Sequence, residues 1–126
     1  MTTNKNGKLL LVEDDFELRE TLEEIFFLYD IPFDVAKSAS EAKKQVSNSD
    51  APYSLVLSDY LMPGESGLDF FMYLKELEIY REIPFFILSA RTEDEVREKC
   101  RNAGVTDFIK KPFEMQTLVD LIKQYV

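Results

Sequence analysis

The sequence predicts an α/β domain: a parallel sheet with helices on both faces. Three observations carry this. Apolar strand-like runs and amphipathic helical stretches alternate five times along 126 residues, the pattern of successive right-handed strand–helix–strand crossovers. The strand runs are short, apolar and bounded by turn residues, which marks buried strands. Side chains able to do chemistry stand at the C-terminal ends of these runs, on the sheet edge where open α/β sheets bind ligands.

The first strand is Lys8–Val12, ending in Glu13-Asp14-Asp15. Leu18, Leu22, Ile25 and Tyr29 follow at helical spacing, with Glu17, Glu20, Glu23 and Glu24 on the other side. Asp15 is suited to cap this helix, and Asp30-Ile31-Pro32 ends it. A second, shorter strand spans Phe33 to Ala36. Ser38 and Glu41 have capping-box spacing and open a helix to about Val46. Ser47 to Pro52 reads as a loop.

The third strand, Leu55-Val56-Leu57-Ser58, runs straight into Asp59, and Pro63-Gly64 breaks the chain soon after. Leu68 to about Leu77 is a helix with Leu68, Phe71 and Leu74 inward. Pro84 to Leu88 is the fourth strand, ending at Ser89-Ala90. Thr92, with Glu95, caps a helix whose apolar face is thin: Val96, Cys100 and Ala103. Gly104 stands where a helix C-terminal cap belongs. Val105 to Ile109 is the fifth strand, followed by Lys110-Lys111-Pro112-Phe113. A last helix packs through Leu118, Leu121, Ile122 and Tyr125.

Residues 1–126 are expected to form one domain, with residues 1–7 flexible. No apolar run has the length of a membrane span, and the polar N-terminus lacks a signal-peptide core, so the expected location is cytoplasmic. The chain has one cysteine, Cys100, and no histidine. That excludes histidine triads, histidine zinc sites and internal disulfides. The net charge of −9 opposes nucleic-acid binding. The excess lies in residues 1–89, with 8 basic and 17 acidic side chains; residues 90–126 hold 7 of each.

In a parallel sheet Glu13, Asp14, Asp59, Ser89 and Lys111 all fall on one edge. Carboxylates about 4 Å apart repel by about 4 kcal/mol at an effective dielectric near 20. Such a cluster needs protons or a cation, and oxygen ligands with room for water suit Mg2+. Lys111 adds a fixed positive charge. Asp15 reads as a helix cap, Lys110 as a surface lysine and Cys100 as packing.

Val12-Glu13-Asp14-Asp15, Asp59 to Gly64, Gly67-Leu68-Asp69, Leu88-Ser89-Ala90 and Lys111-Pro112-Phe113 occur in this order. In that combination the sequence resembles the response-regulator receiver domains of two-component signalling, of the stand-alone, chemotaxis type. The resemblance implies a flavodoxin-like fold with strand order 2-1-3-4-5. It implies that Asp59 accepts a phosphoryl group. Asp14 would hold Mg2+ directly, Glu13 mostly through water, and the Leu61 backbone carbonyl would be a further ligand. Ser89 and Lys111 would bind the phosphoryl oxygens, and Phe108 would turn inward as a switch when Ser89 moves. A cis peptide is implied before Pro112.

The implied donor is a phosphohistidine on a histidine kinase or histidine phosphotransfer protein, since this chain has no histidine. The implied output is a downstream protein bound by the face of the last two helices, with the chain a monomer or weak homodimer. The resemblance also offers the acidic first helix as a kinase-docking face; otherwise it is solvated surface. Such a protein catalyses its own phosphorylation and dephosphorylation without turning over an external substrate. Leu61, two residues after Asp59, is apolar where receivers often have a polar residue, and Arg91 is a long cation two after Ser89. Both imply slow self-dephosphorylation.

A Mg2+-dependent phosphatase with an aspartyl nucleophile is the alternative. Such enzymes usually carry a second Asp where Leu61 stands. A flavodoxin would need a phosphate-cradling loop where Glu13-Asp14-Asp15 would repel phosphate. A phosphorylation-independent adaptor would not need Asp59, Ser89 and Lys111 together.

Overall fold

The computed structural model describes residues 7–90 and 94–126. The Met1–Asn6 part of the N-terminal segment, Arg91 and the Thr92 cap lie outside the described residues. The strands are β1 (Leu9–Val12), β2 (Phe33–Ala36), β3 (Leu55–Asp59), β4 (Phe85–Ser89) and β5 (Asp107–Lys110). They form one parallel sheet in the order β2-β1-β3-β4-β5. The helices are α1 (Phe16–Leu28), α2 (Ala39–Asn48), α3 (Gly67–Lys75), α4 (Asp94–Ala103) and α5 (Met115–Ile122). The predicted architecture and strand order are both observed.

Alternation along the strands divides the core. Leu9, Leu11, Leu55, Leu57, Phe86 and Leu88 meet α1 and α5 on one side. Leu10, Val12, Val56, Phe85 and Ile87 face α2, α3 and Cys100 of α4 on the other. Every residue of β1, β3 and β4 is buried, as expected of central parallel strands.

The caps follow from local chemistry. The Leu18 N–H donates to Asp15 Oδ2 at 2.8 Å, and the Glu41 N–H to Ser38 Oγ at 3.1 Å. At α3, Ser66 and Asp69 form a reciprocal capping box that the sequence reading passed over. Asp30 has φ +57° and closes α1 as a glycine usually would: the Ile31 N–H donates to Phe26 O at 2.8 Å and the Asp30 N–H to Phe27 O at 3.3 Å. Gly104, at φ +103°, ends α4 in the same way, with the Val105 N–H on Cys100 O.

Most other boundaries lie within one residue of expectation, but those of β5, α2, α3 and α5 differ by more. β5 begins at Asp107, not Val105, because the Val105 N–H closes α4 and the Thr106 N–H and hydroxyl both bond Phe85. α2 continues to Asn48, since no breaker precedes Pro52. α3 ends at Lys75, and a 3-10 turn at Glu78–Tyr80 follows. That turn buries Tyr80, whose hydroxyl accepts the Tyr53 N–H at 3.1 Å. α5 ends at Ile122, so Tyr125 lies beyond it and meets Phe86 edge-on. The inner face of α1 also differs: Arg19 and Phe26 are buried, whereas Tyr29 is half-buried.

Phe26 and Phe27 are adjacent but opposite in environment, at 0% and 81% exposure. Phe26→Ala is expected to destabilise the fold by about 3–5 kcal/mol through the cavity it leaves. Phe27→Ala should change stability by no more than about 0.5 kcal/mol. Urea unfolding followed by circular dichroism measures both.

Candidate functional site

Strand register assembles the site. Val12 is the β-partner of Ser58, Asp59 of Leu88, and Ser89 of Lys110. The next residue on β1 is therefore Glu13, beside Asp59, and the next on β5 is Lys111, beyond Ser89. Residues separated by up to about 100 positions in the chain end on one rim for this reason alone.

Glu13, Asp14 and Asp59 each bring a carboxylate oxygen within 4.8 Å of the others. Lys111 Nζ donates to Asp59 Oδ1 at 2.8 Å and lies 3.7 Å from Glu13 Oε1. The Tyr60 N–H also donates to Asp59 Oδ1, at 3.0 Å, so neither bond uses Asp59 Oδ2. Glu13 is fully buried and Asp59 nearly so, while Asp14 is exposed. Glu13 Oε2 accepts the Asp15 N–H at 3.1 Å, and Oε1 has no hydrogen bond. A buried carboxylate oxygen without a donor, beside two more carboxylates, fits a divalent cation held by oxygen ligands.

Burial raises the Glu13 carboxyl to about 7, with Asp59 and Asp14 adding to it and the Asp15 N–H and Lys111 opposing. Burial also raises Asp59, against the hydrogen bond and charge of Lys111. Both acids are therefore held in a state that added positive charge would relieve.

Ser89 is buried at the end of β4, and its backbone carbonyl accepts the Lys111 N–H at 2.8 Å. This bond ties the fifth strand's exit to the fourth. The Lys111–Pro112 peptide is cis, as the resemblance implied. Leu61 follows β3 and is 53% exposed. Phe108 is half-buried on β5, with the Arg97 guanidinium 5.5 Å from its ring centroid. Glu13, Asp14, Asp59 and Lys111 are thus brought together, Ser89 lies on the same rim, and Phe108 sits lower on β5.

Two supporting roles escaped the sequence reading, those of Arg19 and of Gly67, which was named there only as part of a motif. Arg19 is 7% exposed, and its Nη1 donates to the carbonyls of Glu13 at 3.0 Å and Asp14 at 3.3 Å. It fixes the turn that carries both acids and adds a cation beneath them. Its signal was present: Arg19, Leu22 and Phe26 share one face at helical spacing. Gly67 is the second. A Cβ there would lie 2.2 Å from the Asp59 carbonyl oxygen, so only glycine lets α3 start this close to β3. The Gly67 N–H donates to Tyr60 O at 2.8 Å.

Fold and site together define a flavodoxin-like α/β domain with an acidic pocket at the C-terminal edge of its sheet. Comparison with known proteins makes this specific. The response regulator receiver domain model matches residues 9–123, and the chain belongs to that family. It is 35% identical over 117 residues to the phosphate regulon transcriptional regulatory protein PhoB of Escherichia coli K12, covering 92% of this chain and 50% of that protein. The chain thus spans about half the length of the curated relatives it matches. Among solved structures, chemotaxis protein CheY4 of Vibrio cholerae superposes with a TM-score of 0.86 at 22% identity, covering 95% of this chain and 98% of that one. The HemR receiver domain of Leptospira biflexa gives 0.82 at 28% identity, covering 95% and 94%. Receiver domains are phosphorylated by histidine kinases and generally bind Mg2+ at an acidic pocket. Among the described residues no helix is long and apolar enough to cross a membrane.

The raised Glu13 sets a pH dependence. The folded protein keeps a proton that the unfolded chain releases between about pH 4.5 and 7, so this group's stabilising contribution is lost as pH rises through that window. In EDTA, Glu13→Gln should gain stability relative to wild type from pH 5 to 7.5, by about 1–3 kcal/mol. Parallel thermal melts of the two proteins check it; a gap that does not widen with pH refutes it.

Proposed function

We propose that this chain is a phosphorylation-dependent signalling switch, with residues 1–126 acting as one receiver unit. Asp59 takes the phosphoryl group from a phosphohistidine on a partner kinase or phosphotransfer protein. The donor's N–P bond breaks as an O–P bond to Asp59 forms. The observation that carries this reading is the meeting of Glu13, Asp14 and Asp59 within 4.8 Å, with Lys111 2.8 Å from Asp59.

Phosphoryl transfer asks for an aligned nucleophile and for positive charge on the equatorial oxygens. Asp59 is held by Lys111 and the Tyr60 N–H through one oxygen, which orients the other. Glu13, Asp14, Asp59 and the Leu61 carbonyl would hold Mg2+, which neutralises phosphoryl charge when bound. Lys111 exchanges part of its contact with Asp59 for the phosphoryl group, and Ser89 donates its hydroxyl. Ser89 then draws its strand end inward, and Phe108, half-buried on β5, turns inward with it. Shifting a two-state population from 1:99 to 99:1 takes about 5.5 kcal/mol of differential stabilisation. A buried charge network of this kind supplies stabilisation of that order. The changed face of α4, β5 and α5 is then read by a downstream protein.

Incubation with acetyl phosphate and Mg2+ should add one phosphoryl group to wild type and none to Asp59→Asn, read by intact mass. EDTA should abolish the gain. Steady release of phosphate from small esters would instead support the phosphatase reading. The modified protein should lose its phosphoryl group slowly, because the exposed Leu61 side chain cannot position water. Loss within seconds refutes this, and Leu61→Asn should accelerate loss.

A further inference from the structure

The segment between Asp59 and α3 borders the acidic pocket but has few anchors of its own. Its ends are fixed: the Tyr60 N–H donates to Leu88 O at 3.0 Å, and the Gly67 N–H to Tyr60 O at 2.8 Å. Between them Met62 is buried in the core, whereas Leu61, Pro63 and Gly64 are exposed. Gly64 has φ +88°, and a Cβ there would meet nothing within 4 Å. Ser66 is taken up by the capping box of α3. Among the described residues the Leu61 carbonyl accepts no hydrogen bond. Its position therefore depends on what holds the turn that follows it.

That hold comes from α2. Lys43 Nζ donates to both carboxylate oxygens of Glu65 at 2.8 Å. The same ammonium lies 4.8 Å from the ring centroid of Tyr73 on α3. Lys43 thus joins α2, the turn and α3 at one point. Helix α2 is a firm base for it: Ala39, Ala42 and Val46 are buried, and Gln45 Nε2 donates to Val35 O at 2.6 Å. Surface ion pairs contribute little to global stability, because water screens them and long side chains lose entropy. This pair reaches both oxygens and rests against a ring, so its geometry is narrow. Its effect is local, on where the turn sits. Glu65 is not among the carboxylates that converge on the pocket.

We propose that Lys43 is a positioning residue: through Glu65 it holds the Met62–Glu65 turn, and with it the Leu61 carbonyl, in place to serve as a Mg2+ ligand. The inference rests on the receiver reading above, in which that carbonyl joins the oxygens of Glu13, Asp14 and Asp59. Partners outside the ligand shell typically count for about 10–100-fold in metal affinity. Lys43 acts through an intermediary, which places it at the low end of that range. Charge alone would act in the opposite direction. Removing an ammonium from a molecule whose pocket holds three carboxylates should tighten cation binding. Weaker binding in Lys43→Met therefore reports lost position, not lost charge.

The test is a Mg2+ titration of the full 15N-labelled chain, read by the amide shifts of residues 59–62. Lys43→Met and Glu65→Gln should each raise the Mg2+ dissociation constant roughly tenfold, and the double variant no further. Lys43→Arg, which keeps the pair, should stay within about twofold of wild type. Lys44→Met, one residue along α2, should not weaken binding. In EDTA, backbone order parameters at Leu61, Met62, Gly64 and Glu65 should fall in Lys43→Met from about 0.85 toward about 0.6. Thermal melts of that variant should match wild type. The proposal is overturned by affinity unchanged or tightened in Lys43→Met, by an equal loss in Lys43→Arg or Lys44→Met, or by losses that multiply in the double variant. Unchanged order parameters overturn it too, as does a melt well below wild type, which would make the pair merely structural. If wild type itself binds no Mg2+, the receiver reading fails and the proposal with it. If wild type binds and Lys43→Met binds as well, the proposal fails alone.

Discussion

The contact between Lys111 and Asp59 is the interaction on which the rest of the structure depends. It sets one ammonium against three carboxylates from two strand ends, at 2.8 Å from the one that closes β3. Without it Asp59, nearly buried, would face Glu13 and Asp14 with only backbone N–H groups in support. Burial first, and the neighbouring carboxylates second, raise the Glu13 and Asp59 carboxyls against the single ammonium of Lys111. The pocket is thus built to gain from further positive charge, and a site with that property suits a divalent ion.

Holding like charges together places demands on the surrounding scaffold. Arg19 takes the carbonyls of Glu13 and Asp14, so the turn cannot relax outward under their repulsion. Gly67 lets α3 press against the Asp59 backbone, where any Cβ would collide. The Ser89 carbonyl holds the Lys111 N–H, fixing where the lysine leaves the sheet. Beneath these, the fully buried β1, β3 and β4 form a rigid floor with apolar packing on both sides. Strain at the rim is therefore resisted by the core instead of being dispersed into it.

Rigidity is not uniform across the domain. Helix α4 buries only Val96 and Cys100, and β5 keeps no fully buried residue. The half of the sheet that adjoins Ser89 and Lys111 is thus the half held least firmly by apolar contact. Helix α1, by contrast, is anchored by Leu22, Ile25 and Phe26, yet leaves Phe27 and Leu28 in water. The two faces differ physically: one is lightly packed, while the other is firmly held and uncovered.

Much was legible in the chain itself. Strand and helix alternation followed from hydrophobic periodicity, the caps at Asp15, Ser38 and Gly104 from local hydrogen-bond chemistry, and the placing of Glu13, Asp14, Asp59, Ser89 and Lys111 at strand ends from parallel connection. These are short-range properties, and a linear reading captures them. Tertiary structure alone decided the rest. The burial of Arg19, the steric need for Gly67, the buried Tyr80 hydroxyl on the Tyr53 N–H and the late start of β5 all depend on what a second segment does nearby. The same holds for Phe26 and Phe27: the pattern makes both apolar, but only packing against the sheet determines which is covered. Sequence sets what each residue prefers locally, whereas burial and charge balance are properties of residues that meet only after folding.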